Sequence, residues 1–423
     1  MLLHVKATQS LRGRIQLPSS KSYSIRAYFI ALCGGRSVII DPSDCDDAVV
    51  ARRLIAALGA KVKKLRNGFQ VIAGAGLRGK KTRILNVGES GTSLRFVLPL
   101  LPFFCTAGRV KGQGTLRNRP NKPLCESLRR SGLDVRGSGP QESVPIVFRG
   151  GTLRGGRITI DSAVSSQFVS GLLIASPLAK QGTCLVMTGG KLVSQDYITM
   201  TRQILAKAGV KVRRKGAREF LISSQQEFKG LNNFHVPADY GLAAFWLVAA
   251  ALLKSDIVLK GHFNDQLVQS DAAILGFLKR MGLKLNRNST TLRLRGPCIL
   301  KGGTFSLKDC PDLVPIMAVV AMFAQGPTRL KDIGHARVKE SDRITDLRKE
   351  LLKVGADIEE RTDELIVRPR IIYRGGVELD PHHDHRLAMA FAVLGLRLGV
   401  KVRDVECTAK SYPRFVKDFR SLV

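Results

Sequence analysis

Apolar residues recur along this chain in two kinds of helical stretch, separated by short alternating segments. In the first kind a small polar cluster opens a run of ten or more mostly apolar residues, as at 242–253 and 313–324. Such runs are apolar nearly all round, which predicts helices buried on every side. They open at Ser19, Ser90, Ser165, Asp239, Asp312 and Asp384, at intervals of 71 to 75 residues. Ser and Asp are favoured N-caps, so the same residues predict where each helix starts. In the second kind an amphipathic helix ends in glycine and resumes as an apolar–polar alternation, as in Leu58-Gly59-Ala60-Lys61-Val62 and Met281-Gly282-Leu283-Lys284-Leu285. Glycine suits the left-handed position that ends a helix, and the alternation after it suits a strand. These glycines are Gly59, Gly132, Gly209, Gly282 and Gly355, spaced 73 to 77 residues apart.

Two landmarks with one period predict six repeats, each with a buried helix, an exposed helix and several strands. Six buried helices but five glycine-ended ones leave the sixth repeat incomplete, and a strand over residues 2–8 is expected to complete it. The chain would then close on itself. The openings split the repeats three and three, Ser first and Asp afterwards. The expected fold is α/β with two similar lobes, residues 17–235 and residues 1–16 plus 236–423. Segments 232–237 and 13–18 are the expected crossings, forming a hinge with the active cleft between the lobes.

Composition narrows the class. Of 423 residues 44% are hydrophobic and 24% charged, enough for a sizeable core and unlike a disordered chain. The longest apolar runs, 96–107 and 242–253, fall short of the ~20 residues that span a bilayer. The first residues, Met1-Leu2-Leu3-His4-Val5-Lys6, lack the apolar core of a signal peptide. No membrane association and a cytoplasmic location are therefore expected. Eight scattered Cys form no C-x-x-C pair, so reduced thiols are expected rather than a zinc site or disulfides. The net charge of +34 admits nucleic-acid binding, steering of small anionic substrates, or a general surface bias. Basic residues are spread along the chain without a tail or an aromatic-interleaved stripe. That places the surface bias first, substrate steering second and nucleic acid last.

Candidate chemistry gathers at the helix starts. A helix N-terminus offers unpaired N–H groups and the positive end of a dipole, which suits phosphate or carboxylate. The starts carry Lys21, Ser22, Arg26, Gly91, Thr92, Arg95, Ser165, Ser166, Gln167 and Arg386. Capping explains Ser and Asp but not Lys21, Arg26 or Arg386, where a cation opposes the dipole; a bound anion would explain them. Arg117-Asn118-Arg119-Pro120 adds two guanidinia. The run His335-Ala336-Arg337-Val338-Lys339-Glu340-Ser341-Asp342-Arg343 alternates acid and base, which by itself is the pattern of a solvated face.

Seven motifs carry a resemblance. They are Leu17-Pro18-Ser19-Ser20-Lys21-Ser22 with Arg26, Gly88-Glu89-Ser90-Gly91-Thr92-Ser93-Leu94-Arg95, Arg119-Pro120, Ser165-Ser166-Gln167, Lys339-Glu340-Ser341-Asp342-Arg343, Asp384-His385-Arg386-Leu387-Ala388-Met389-Ala390 and Cys407-Thr408-Ala409-Lys410. In their order and spacing across nearly the whole chain, the sequence resembles the 5-enolpyruvylshikimate-3-phosphate synthase family of enolpyruvyl transferases. The resemblance implies two lobes of three βαβαββ units with buried parallel helices, an inside-out α/β barrel. It implies transfer of the enolpyruvyl group of phosphoenolpyruvate to the 5-hydroxyl of shikimate 3-phosphate, on the pathway to chorismate. No metal or organic cofactor is implied, and a monomer is expected. Shikimate 3-phosphate would be held by Lys21, Ser22, Arg26, Ser165, Ser166, Gln167, Ser194, Asp312, His335 and Lys339. Phosphoenolpyruvate would be held by Lys21, Gly91, Arg119, Gln167, Arg343, Arg386 and Lys410. The implied catalytic groups are Asp312 as proton acceptor, Glu340 as donor, and Lys21. Glu89, Phe96 and His335 depart from the residues common at their positions in the family.

Two other enzymes fit part of this pattern. The sister transferase acting on UDP-N-acetylglucosamine has Lys-Asn where Lys21-Ser22 stands here and a reactive Cys on a loop; residues 110–120 contain none. An RNA 3′-terminal phosphate cyclase would use a nucleotidylated His, for which His385 is the candidate. The cluster His382-His383-Asp384-His385 has metal-ligand chemistry. Consecutive residues ahead of a helix diverge in direction, however, and no metal is expected.

Overall fold

The computed structural model describes residues 1–74 and 82–423. The strands form five four-stranded sheets and one three-stranded sheet among the described residues, one per repeat. In each sheet the first two strands run parallel and the remaining pairs antiparallel, as in Arg83–Asn86 beside Gly108–Lys111, then Ser143–Gly151 and Leu133–Ser138. A parallel pair needs a crossover. Here the crossover is the buried helix, Gly91–Phe104, and the amphipathic helix Lys122–Arg130 follows it. The six buried helices are Lys21–Cys33, Gly91–Phe104, Ser166–Ala175, Tyr240–Leu252, Val314–Ala321 and His385–Leu398. The amphipathic helices Asp46–Ala57, Lys122–Arg130, Gln195–Lys207, Ala273–Met281 and Thr345–Lys353 are each followed by one of the periodic glycines, at φ between 83° and 111°.

By contacts the chain divides into Ser20–Val236 and a second unit, Met1–Ser19 with Pro237–Val423. Within the second, the helices Tyr240–Leu252, Val314–Ala321 and His385–Leu398 pack on one another, with sheet strands against them. Within Ser20–Val236, Gly91–Phe104 packs on both Lys21–Cys33 and Ser166–Ala175. Gly171 lets Gly91–Phe104 and Ser166–Ala175 approach closely: a Cβ there would lie 2.3 Å from the carbonyl oxygen of Arg95.

Leu3–Val5 pairs antiparallel with Val400–Val402 and so completes the sixth repeat, as its missing partner requires. The next segment departs from expectation. Residues 13–18 are not a crossing, because Ser10–Gln16 is a strand pairing parallel with Lys254–Lys260, the leading strand of the fourth repeat. Leu17 N–H donates to Lys260 O, and Ser19 bridges Ala238, so the division falls after Ser19 rather than before residue 17. At the other crossing Phe234–His235 pairs with Arg36–Ile40 and supplies the leading strand of the first repeat. Each unit therefore borrows a leading strand from a distant part of the chain, because a βαβ crossover needs a first strand and neither unit's opening helix is preceded by its own.

Two helix starts also differ. Ser20, one residue later than Ser19, caps the first helix. Asp312 caps nothing: it lies in a single 3-10 turn, Pro311–Leu313, before a helix of eight residues. No helix among the described residues is long and apolar enough to cross a membrane.

Candidate active site

The Ser20–Val236 unit gathers one set of site residues at three capped helix starts. The Ser20, Ser90 and Ser165 hydroxyls accept from the N–H groups of Tyr23, Ser93 and Gln167. These caps leave the first-turn side chains free for other work. The Lys21 ammonium lies 3.1 Å from the Asp47 carboxylate. Arg95, 2% exposed, is the organiser. It donates to Gln167 Oε1 at 2.7 Å, to Asn121 Oδ1 at 3.2 Å and to Pro120 O at 3.1 Å. Gln167 in turn donates to Thr92 Oγ1 at 3.0 Å. One guanidinium thus orients the second helix start, the third helix start and the Arg119–Pro120 backbone.

Gly91 and Arg119 meet directly. A Cβ on Gly91 would sit 2.6 Å from Arg119 Nη1, so only a glycine leaves the guanidinium its present place. Arg26 is placed differently from an anion ligand. Its three nitrogens donate to Thr201 Oγ1, Ser22 O and Tyr197 O, and burial lowers its pKa to about 10. It lies against the rings of Phe96 and Tyr197, 5.4 and 5.8 Å from their centroids. Phe96 also packs edge-to-face on Phe29, so the departure at 96 builds a platform under Arg26. The Glu89 carboxylate abuts Gly114, within 2.1 Å of where a Cβ would be. Ser166 is buried at its helix start. Ser194, 3% exposed, holds a left-handed φ of 56°, a costly conformation for a residue with a Cβ and one that clusters at functional positions.

The second unit holds an ionic knot around Arg343, which is 1% exposed. The run read as a solvated face is mostly half-buried, with Ala336 and Arg343 fully buried. Arg343 donates to Asp312 Oδ1 at 2.6 Å, Glu340 Oε2 at 2.9 Å and Asp384 Oδ2 at 2.7 Å. Arg386 donates to Asp312 Oδ2 at 2.9 Å and to Gly241 O at 2.8 Å. Lys410 stands 3.9 Å from Glu340. Burial alone would raise the Asp312 pKa; Arg386, Arg343 and Lys339 outweigh it and hold the carboxyl below the usual range. Asp384 both caps the last buried helix, His385–Leu398, accepting from Arg386 N–H, and anchors Arg343. His335 lies in the turn Gly334–Val338, partly buried.

Of the cluster at 382–385, His382 reaches Glu350, His383 reaches Asp404, and His385 is 1% exposed. Their side chains diverge, and no group of three or more His, Cys, Asp or Glu among the described residues is arranged to hold a metal. Lys21, Ser22, Arg26, Gly91, Arg119, Ser165, Ser166, Gln167 and Ser194 belong to the first unit. Asp312, His335, Lys339, Glu340, Arg343, Arg386 and Lys410 belong to the second. The structure gives Arg95, already noted at a helix start, an organising place, and adds Asp47 and Asp271. Arg95 carried the same signal as Arg26, a cation at an apolar helix start. Asp47 and Asp271 sit at the starts of ordinary amphipathic helices, where an acid suits the dipole and attracts no notice.

The sequence matches the EPSP synthase (3-phosphoshikimate 1-carboxyvinyltransferase) family over residues 5–419. A 3-phosphoshikimate 1-carboxyvinyltransferase of Methanosarcina mazei is 35% identical over 98% of this chain and 96% of that protein. One of Methanocaldococcus jannaschii is 34% identical over 100% of this chain and 98% of that protein. The solved EPSP synthase from Acinetobacter baumannii superposes with a TM-score of 0.80 at 26% identity, covering 99% of this chain and 97% of that one. The enolpyruvyl transferase NikO from Streptomyces tendae shares the fold, with a TM-score of 0.79 at 18% identity over 100% of this chain and 97% of that one. With the family matched from end to end and its motifs forming two ordered clusters, this chain belongs to the EPSP synthase family.

Proposed function

We propose that this chain transfers the enolpyruvyl group of phosphoenolpyruvate to the 5-hydroxyl of shikimate 3-phosphate, as a monomer in the cytoplasm. The family membership supports the reaction. The observation that carries the chemistry is Asp312, an ionised carboxylate bridged by two buried guanidinia. Both substrates are anions, and arginine forks suit carboxylate and phosphate.

The reaction adds the hydroxyl oxygen to the central carbon of phosphoenolpyruvate while its methylene carbon takes a proton. Loss of a methyl proton then restores the double bond as the C–O bond to phosphate breaks. Asp312 accepts the hydroxyl proton. An incoming anion shares Arg386 and Arg343 with Asp312, weakening their hold on it and making it a stronger base. Glu340 delivers the proton to carbon, with Lys410 beside it. Lys21, Arg119, Arg343, Arg386 and Lys410 bind phosphoenolpyruvate, with Gly91 giving Arg119 room and Gln167 held by Arg95. Ser22, Ser165, Ser166, Ser194, His335 and Lys339 bind shikimate 3-phosphate together with Lys21, Gln167 and Asp312, and Arg26 holds the Ser22 and Tyr197 backbone from beneath.

The test is phosphate release from phosphoenolpyruvate that depends on shikimate 3-phosphate, with UDP-N-acetylglucosamine as the control acceptor. Asp312→Asn is expected to lower kcat by about 10²–10⁴. Wild-type turnover in that variant, or release only with the nucleotide sugar, overturns the proposal.

A further inference from the structure

Asp271 is a buried carboxyl that no step above uses. It sits in the turn Ser270–Ala272 ahead of the helix Ala273–Met281, 7% exposed. The turn is pinned by its neighbour: Gln269 Oε1 accepts from Tyr240 N–H at 3.3 Å, and Gln269 Nε2 donates to Ala238 O at 2.9 Å. The carboxyl is thereby set beside Gly241. A Cβ on Gly241 would lie 2.4 Å from Asp271 Oδ2 and 2.9 Å from Arg386 Nη1, so the two side chains flank the same backbone atom. Arg386 nevertheless donates to Gly241 O and Asp312, not to Asp271. Asp271 Oδ1 is buried with no hydrogen-bond partner among the described residues.

An ionised carboxylate buried without a donor is strongly disfavoured, whereas a protonated one is tolerated. We propose that Asp271 is a positioning residue for Arg386 that works uncharged, filling the buried side of the Arg386–Asp312 pair without competing for the guanidinium. Arg386 then keeps its capacity for an incoming anion. The surroundings agree. Burial pushes the Asp271 pKa up to about 8, the charges of Asp312 and Asp239 add to that, and Arg386 and Arg343 oppose it. These four groups come from the Pro311–Leu313 turn, the start of Tyr240–Leu252, the start of His385–Leu398 and the segment before Thr345–Lys353. A pair of carboxyls pushed apart in this way gives each a separate duty: Asp312 ionised, Asp271 protonated.

The inference rests on the proposed reaction and predicts a proton-linked affinity. As pH rises through the titration of Asp271, a negative charge appears beside Arg386, and binding of anionic phosphoenolpyruvate weakens. The second ionisation of a phosphate ester, about 6, lies below this range. From pH 7 to 9.5 the wild-type KM for phosphoenolpyruvate is expected to rise about tenfold more than that of Asp271→Asn, with the two kcat profiles running parallel. Direct binding of phosphoenolpyruvate should show the same difference in Kd. Equal slopes in wild type and variant overturn the role of Asp271 and leave the reaction standing. A wild type that neither binds phosphoenolpyruvate nor turns over retires the reaction, and this inference with it. Should Asn not be tolerated, Asp271→Ser supplies the same comparison, because it too removes the titrating group.

Discussion

Gly91 shows how one missing side chain governs another residue's position. The Arg119 guanidinium occupies the volume a Cβ at 91 would fill. Gly91→Ala must move that guanidinium, and Arg119 is only 6% exposed, so it has little free volume to move into. Gly91 is the first helical residue, where alanine fits the backbone without strain. The expected outcome is a protein that still unfolds cooperatively and whose KM for phosphoenolpyruvate rises about ten- to a hundredfold. Steady-state kinetics with a melting curve checks both halves; an unchanged KM would show that Arg119 does not bind that substrate. Arg343 illustrates the opposite case, a charge each of whose three nitrogens donates to a carboxylate. Asp384, fully buried, would lose its main charged partner if Arg343 were removed.

At the scale of elements, the site is set by how buried helices approach one another. Arg95 and Gln167 open adjacent helices, and their hydrogen bond depends on the helix spacing. Gly171, one turn beyond Gln167, sets that spacing by admitting the Arg95 carbonyl. Gly171→Val is expected to force the helices apart, destabilising the fold by about 1–3 kcal/mol and lowering activity through the broken Arg95–Gln167 contact. Denaturant unfolding and kcat/KM test this; a variant with lost stability but full activity would separate the two effects and refute the link. The turn Pro311–Leu313 is the other telling element. Where the other five buried helices begin on a side chain that accepts from the first turn, this one begins on a 3-10 turn, and the Asp312 carboxylate is left to two arginines.

For the whole molecule the decisive feature is that each unit's leading strand comes from a stretch distant in sequence, inside Ser20–Val236 for one unit and from residues 1–19 for the other. Ser20–Val236 contains its own leading strand, Phe234–His235, and is expected to fold when expressed alone. Residues 237–423 lack both Leu3–Val5 and Ser10–Gln16, so the fourth and sixth sheets would each lose an edge partner. That fragment alone is expected to lack cooperative thermal unfolding, and a synthetic peptide of residues 1–19 is expected to restore it. A cooperative transition in the bare fragment would show that the borrowed strands are dispensable.

How much of this was legible follows from which signals are local. Six repeats, their buried helices, five of the six helix openings to within a residue and the glycine-ended turns all rest on periodicity and backbone preference, which act over a few residues. The Leu3–Val5 closure was legible because a count left one repeat short. Ser10–Gln16 was not, since its partner lies more than two hundred residues away and nothing local marks a borrowed strand. The motifs named the charged residues of the site. Which of them face solvent, which guanidinium is occupied by backbone oxygens as in Arg26, and which carboxyl lies buried beside an arginine without a bond to it as in Asp271 depend on burial and on partners distant in sequence. The chain by itself determined the elements and the inventory of chemistry, because both are written in short-range pattern. Only the tertiary structure decided pairing, charge state and room, because those are set by whatever happens to be packed alongside.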